Sequence, residues 1–451
     1  MAEPASGAAA AALAPWIEAT RARAAELAGG APAWLAELRA RAADEFAQNG
    51  FPTRRDEEWR YTSVKPIVDG PFRAALARSA AGSPARVDLA RYAVPAFDGP
   101  TITFVDGVFR SDLSRLAGLP AGIIVEPLAA ALARGGEGLE GALATAPTGV
   151  HPFRALNTAS FADGVHVHAA AGAKAPRPIR VLAIGGGGAG GGGAGGGGAV
   201  HLRHRVSLGA GARLTLIEEY RSEGGVFTNA VTDAEIGAGA HLERVHIVAE
   251  DPRAHHIGFL SVRQEGESRF HDLFLATGGA IVRNEIDVLL AGEHAECTLN
   301  GLYHVDGDRV VDNHTLLRHA AANCRSWEVY RGILDGRARG IFTGKIHVYA
   351  DAQKTDAKQS SNTILLSRDA EADTRPRLEI HADDVKCTHG ATVGELDETA
   401  LFYLRSRGIP RDAAERLLVR AFASEVLAAV ADEAVRADLE ARLVAALERG
   451  A

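Results

Sequence analysis

Within this 451-residue chain the residue types best suited to chemistry crowd into one short stretch: Asp383, Asp384, Lys386, Cys387 and His389. A Gly390-Ala391-Thr392-Val393-Gly394 run follows and reads as a change of direction, and the alternation over residues 378–380 predicts a strand leading in. On an extended backbone, side chains two apart share a face at a separation of roughly 6.5–7 Å, so Cys387 and His389 would address one spot. Thiolate and imidazole together suit soft and borderline metals, iron and zinc among them. On spacing alone, the commoner outcome is a buried structural thiol beside an unrelated histidine.

The other chemistry-bearing residues are scattered. Cys297 and Cys324 complete a set of three cysteines, odd in number and too widely spaced for a disulfide framework, and both read as core residues of a protein from a reducing cytoplasm. The histidine pairs 166/168, 201/204, 255/256 and 314/319 have no cysteine or carboxylate set at ligand spacing and read as stacked or solvent-facing residues. No P-loop, Ser-His-Asp wording, HExxH, dinucleotide fingerprint or CxxC occurs, which predicts a non-catalytic chain.

The elements that must position Cys387 and His389 are repetitive. LGAGARL at 208–214 and IGAGAHL at 236–242 lie 28 residues apart (208 to 236), and LAGEHAE at 290–296 is a degenerate third copy. Short strands between such turns predict a solenoid in which each repeat is one coil of a parallel β-helix over residues 151–393. The glycine-rich run 185–198 lacks the strand-loop-helix frame of a phosphate cradle and reads as a flexible insertion between coils.

Residues 1–92 form an N-terminal helical region, with an alanine-rich frayed tail, a helical stripe from Pro15 to about Gln48 through Trp34, Leu35, Leu38 and Phe46, and a stop at Gly50. In PTRRDEEWRYTSVKPI, Asp56, Glu57 and Glu58 are expected to neutralise the neighbouring arginines while Trp59 and Tyr61 anchor the arm. Residues 93–150 read as a short α/β connection. Residues 394–451 read as a C-terminal helical domain, separable from the solenoid. In it Asp397 caps one helix, Gly408 ends it, Pro410 starts the next, and Leu418, Phe422, Val426 and Val430 form a stripe widened by Leu417 and Ala421.

The net charge of −8 argues against nucleic acid or an anionic membrane as the main partner. No segment holds the roughly 18 uninterrupted apolar residues of a membrane span, so a soluble cytoplasmic protein is expected.

DVKCTHGATVG at 384–394, LDETALFYLRSRGI at 396–409, QKTDAKQSSNTILLS at 353–367 and the DNHTLLRH-to-YRGIL stretch resemble the SufB/SufD family of iron–sulfur cluster assembly proteins, on its SufD side. The resemblance is strongest over residues 311–422. It implies a mainly β fold, a right-handed parallel β-helix core flanked by N-terminal and C-terminal α-helical domains. It also implies a scaffold that pairs with a SufB-like subunit and binds the SufC ATPase, with Phe402, Tyr403 and Arg405 near that contact. Cys387 and His389 match the family's interface cysteine and histidine. Because a cluster ordinarily takes four protein ligands, two donors imply a partner for the rest. An imidazole, protonatable near neutral pH, suits a scaffold that must release a transient iron–sulfur cluster. Reduced flavin in the full complex and a homodimer of the isolated chain remain open on this reading. The rivals are a β-helix carbohydrate-active enzyme using Asp312, Asp351, Asp356, Asp383 or Asp384, and a purely structural interaction protein.

Overall fold

Along Arg325–Leu334 the residues Ser326, Glu328, Tyr330 and Gly332 are buried while Arg325, Trp327, Val329 and Arg331 are not, the period of two that sets one face of a strand against a core. In the computed structural model, which describes residues 7–76, 87–136, 138–144, 151–186 and 198–449, such strands stack into a two-sheet parallel solenoid of about seven turns. The first sheet runs in spatial order through Val108–Phe109, Thr101–Val105, Ile179–Gly185, Arg213–Ser222, His241–Val248, Arg269–Ala276, Glu296–Val305, Arg325–Leu334, Asp356–Leu365 and Lys386–Gly394. The second runs through Ile123–Pro127, Val165–Ala169, Gly198–Leu208, Val226–Ile236, His255–Gln264, Ile281–Leu290, Val310–His319, Arg339–Val348 and Glu371–Ile380. Neighbours are parallel except at the first pair of each sheet. The glycine-rich run falls, apart from its ends, outside the described residues.

The repeated turns are the corners where a coil passes from the second sheet to the first. At six successive corners one residue has a left-handed backbone: Gly211 (φ +68°), Gly239 (+65°), Glu267 (+57°), His294 (+61°), Asn323 (+62°) and Lys354 (+64°). Glycine adopts this conformation freely, whereas the side-chain-bearing residues pay for it. The offset is a hydrogen bond from each of these N–H groups to a corner carbonyl of the next coil, as in Gly211 to Ala238 (2.8 Å), Glu267 to Glu293 (2.8 Å), Asn323 to Gln353 (2.8 Å) and Lys354 to Asp384 (2.7 Å).

Inside, stacked Val, Leu, Ile and Phe side chains form one cluster that includes Cys297 and Cys324, both fully buried. The interior also carries charge. Arg244 donates to both carboxylate oxygens of Glu218 (2.9 Å each) and to Asp272 (2.8 Å), and Gln359 donates to Glu328 (2.6 Å).

Helices cover the outer faces. Gly7–Ala28 begins within the alanine run read as a frayed tail, because alanine's helix propensity carries the helix back through Pro15. A second helix, Ala33–Asn49, ends at Gly50, so the single stripe from Pro15 to Gln48 is two helices. Trp16, Phe46, Trp59 and Phe72 pack with Phe153 of the helix Pro152–Ser160 and with Phe227 and Ile257 on the second sheet. At the other end, Asp397 caps Glu398–Ser406 by accepting from the Thr399 N–H (2.8 Å). The expected stripe is partly displaced: Val426 and Val430 are buried as expected, but Val419, Ala423 and Leu427 are buried where Leu418 and Phe422 are only partly so and Leu417 and Ala421 are exposed. The shift follows from Glu433–Arg449, which adds Val435, Leu439 and Leu443 to the same interface. These helices share their core with Ile217, Val245, Ile247, Leu273, Leu275, Leu302 and Ile333 of the first sheet, so the segment expected to be separable is fused to the solenoid.

Glu328 supplies a test of the charged interior. Burial pushes its carboxyl up to about 7, against hydrogen bonds from Thr315 and Gln359 that lower it. A carboxyl whose folded value lies above its unfolded 4.5 favours the folded state while protonated, so stability falls as pH rises from 4.5 through about 7. Glu328→Gln should therefore raise the thermal midpoint at about pH 8 and leave it nearly unchanged near pH 4.5, as read by circular dichroism; an equal effect at both values would refute this origin.

Candidate functional site

Lys386–Gly394 is the last strand of the first sheet and pairs on one side only, with Asp356–Leu365. Its register sets Cys387 beside Ala357, His389 beside Gln359, Ala391 beside Ser361 and Val393 beside Thr363. Those four partners are buried and line the interior, so Cys387 and His389 continue the inward columns onto the end of the solenoid. Cys387 is half-buried and packs against the apolar core, whereas His389 and the remainder of the strand are exposed. The sequence places the two side chains on one face, and the structure adds that this face belongs to the open end of a core.

Beneath His389 the column is polar except at one position. It descends through Gln359 to Glu328, then Leu299, and then Asp272, which is bonded to Arg244. Burial pushes the Cys387 thiol above its ordinary range; the Ala357 backbone opposes this and Asp356 adds to it. The lone chain thus keeps Cys387 as a thiol, and a metal ion that displaced its proton would convert it to a ligand. Two donors on one strand offer at most half of a cluster's usual ligand set.

The strand is held from two sides. At its corner the Lys354 N–H donates to Asp384, and Lys354 also pairs with the Asp384 carboxylate. On the second sheet the N-terminal arm clamps the last coil. The acids of the arm do not neutralise Arg54 and Arg55 as the sequence suggested. Glu57 instead pairs with Arg375 and Arg377 of Glu371–Ile380, and Glu58 with Arg377 and His314. Trp59 anchors the arm as expected, lying 3.6 Å beneath the Arg283 guanidinium. Arg283 pairs with Glu285 (2.7 Å) and Asp312, and His314 bonds Asp312 at 2.9 Å. Burial alone would raise Asp312, but His314, Arg283 and a hydrogen bond from Thr62 hold it down at about 2.

This ion cluster removes Asp312 from any sugar-binding groove. Asp384 is engaged by Lys354 at the corner, and Asp356 lies 3.6 Å from Lys358. Among the paired histidines, His201, His204, His255, His256 and His319 are buried, and His166 bonds Glu126 at 3.2 Å. Phe402 and Tyr403 stand exposed on Glu398–Ser406 with Arg405 also exposed, directly after the terminal strand. The sequence reading overlooked His347, Glu379 and His381, which come together on the outer wall of the second sheet. The Glu379-x-His381 alternation was visible, but the pairing of His347 with Glu379 exists only in the register.

Two family models match the chain: the SUF system FeS cluster assembly SufBD core domain over residues 192–422, and the SufBD protein N-terminal region over 14–181. The iron-sulfur cluster assembly protein SufD of Escherichia coli is 32% identical over 430 residues, covering 90% of this chain and 92% of that protein. An iron-sulfur cluster assembly SufBD family protein of Synechocystis is 28% identical, covering 91% and 89%. The SufD protein of Bacillus subtilis is 34% identical over 143 residues, 32% of each chain. With a solenoid core and N-terminal region that both match, and a full-length relative at this identity, the chain belongs to the SufBD family of iron–sulfur cluster assembly proteins.

Proposed function

We propose that this chain is a non-catalytic scaffold subunit of a SUF complex, and that Cys387 and His389 supply half the ligands of a nascent iron–sulfur cluster built against a SufB-like partner. The observation that carries this reading is the open end of the solenoid: an unpaired edge strand whose inward column presents a thiol and an imidazole. An exposed edge of this kind invites strand addition, and stacked-repeat folds need their terminal coil covered. A SufB-like subunit would cover it and bring the missing donors; a second copy of the chain would do so when the chain is alone.

In that assembly the cluster is cargo. Cys387 would give up its proton to bind iron, and His389 would provide the weaker bond that lets the cluster leave. The SufC ATPase would dock on Glu398–Ser406, where Phe402, Tyr403 and Arg405 are exposed and the helix follows the terminal strand directly, so that movement at the helix is conveyed to the site.

His389→Ala and Cys387→Ala should leave the complex assembled but lower its iron and acid-labile sulfide after anaerobic co-expression with the partners. His389→Cys should retain cluster and transfer it more slowly to an apo-ferredoxin. Equal iron, sulfide and transfer rate in wild type and all three variants would refute the site. Separately, Phe402→Ala with Tyr403→Ala should weaken ATPase co-purification by about tenfold or more, as for paired aromatic anchors, without changing the circular dichroism spectrum; undiminished co-purification would move the ATPase contact elsewhere.

A further inference from the structure

Among the described residues, one set of three side chains brings potential metal-ligand atoms together: His347, Glu379 and His381, with all three atoms within 4.8 Å of one another. The set is a product of the register. His347 on Arg339–Val348 lies directly beside Glu379 on Glu371–Ile380. The His381 N–H bonds to Val348 (2.9 Å), which extends the ladder past the strand end and returns His381 to the face of Glu379. Glu379 Oε1 is 3.2 Å from His381 Nε2, and Glu379 Oε2 is 3.7 Å from His347 Nδ1. The imidazoles lie 5.3 Å apart between centroids, and His347 is backed by the Tyr349 ring at 4.3 Å.

We propose that His347, Glu379 and His381 bind a single divalent first-row transition metal ion through two imidazoles and one carboxylate. Ligand bonds of about 2.0–2.2 Å require donor separations near 3.3 Å, so the widest gap must close by roughly 1.5 Å. Glu379 and His381 are both about half exposed and can rotate that far, while His347, more deeply set against Tyr349, is the fixed post. Three protein donors leave coordination positions open to water or another ligand, and imidazole with carboxylate selects iron, zinc and their neighbours over calcium or magnesium. Lys345 Nζ pairs with Glu379 at 2.6 Å, a cation already placed beside the carboxylate.

The site is distinct from Cys387 and His389, which lie on the other sheet. Cys387 lies six positions after His381 in the chain, which limits their separation to about 20 Å. The site's existence does not depend on the scaffold role proposed above.

The test is anaerobic isothermal titration of the full-length chain with Fe²⁺ alone and with Zn²⁺ alone, repeated on His347→Ala, His381→Gln, Cys387→Ala and magnesium controls. The expected result is one equivalent bound by the wild type and by Cys387→Ala. His347→Ala and His381→Gln should each weaken binding by at least the roughly tenfold lost when only an outer-shell partner is removed, and Mg²⁺ should not compete. All three side chains are on the outer wall, so a circular dichroism spectrum identical to wild type confirms that each variant is folded. No binding by the wild type, or binding abolished by Cys387→Ala and indifferent to His347→Ala and His381→Gln, would overturn the proposal.

Discussion

Everything in this molecule depends on the register of a parallel ladder. From Gly211 to Lys354, the left-handed residue at each corner leading from the second sheet to the first donates its N–H to the coil that follows, which ties successive coils in register. A slip of one residue would turn every inward side chain outward, and the buried interior would forbid it. The same constraint aligns Asp272, Glu328, Gln359 and His389 in one inward column and sets His347 beside Glu379 on the outer wall.

A stacked architecture has two ends, and their treatment differs. At the start, antiparallel pairings by Val108–Phe109 and Ile123–Pro127 close the first coils of the two sheets. At the finish the last strand of each sheet is an unpaired edge, and Lys386–Gly394 exposes nearly all its residues. The core therefore runs out into solvent at the place where Cys387 and His389 lie. An unfinished hydrophobic column, an open strand edge and an unfinished ligand set coincide, and one partner surface could complete all three.

The helical regions stiffen that open end. The N-terminal arm reaches Arg375 and Arg377 through Glu57 and Glu58, while Trp59 beneath Arg283 fixes the arm over a buried ion cluster. Buried charges of this kind contribute little net stability beyond what their pairing recovers, but removing one partner is costly, which makes the arm's position specific. On the opposite face the C-terminal helices bury the apolar surface of the first sheet and leave Phe402 and Tyr403 outside.

The repeat of LGAGARL and IGAGAHL determined the solenoid, because a turn chemistry recurring at one coil's length has few other solutions, and the two-residue spacing of Cys387 and His389 determined that they share a face. The capping roles of Asp397 and Gly50 were equally legible, since caps act within a few residues. What only the tertiary structure decided was long-range. Glu57 finds Arg375 and Arg377 rather than its sequence neighbours, the helix face turns to Val419 and Ala423 once a second helix joins it, and the interior column under His389 assembles residues from successive coils. Periodicity specifies which way a side chain points along its own strand, but only the stacking of coils specifies what lies above and below it.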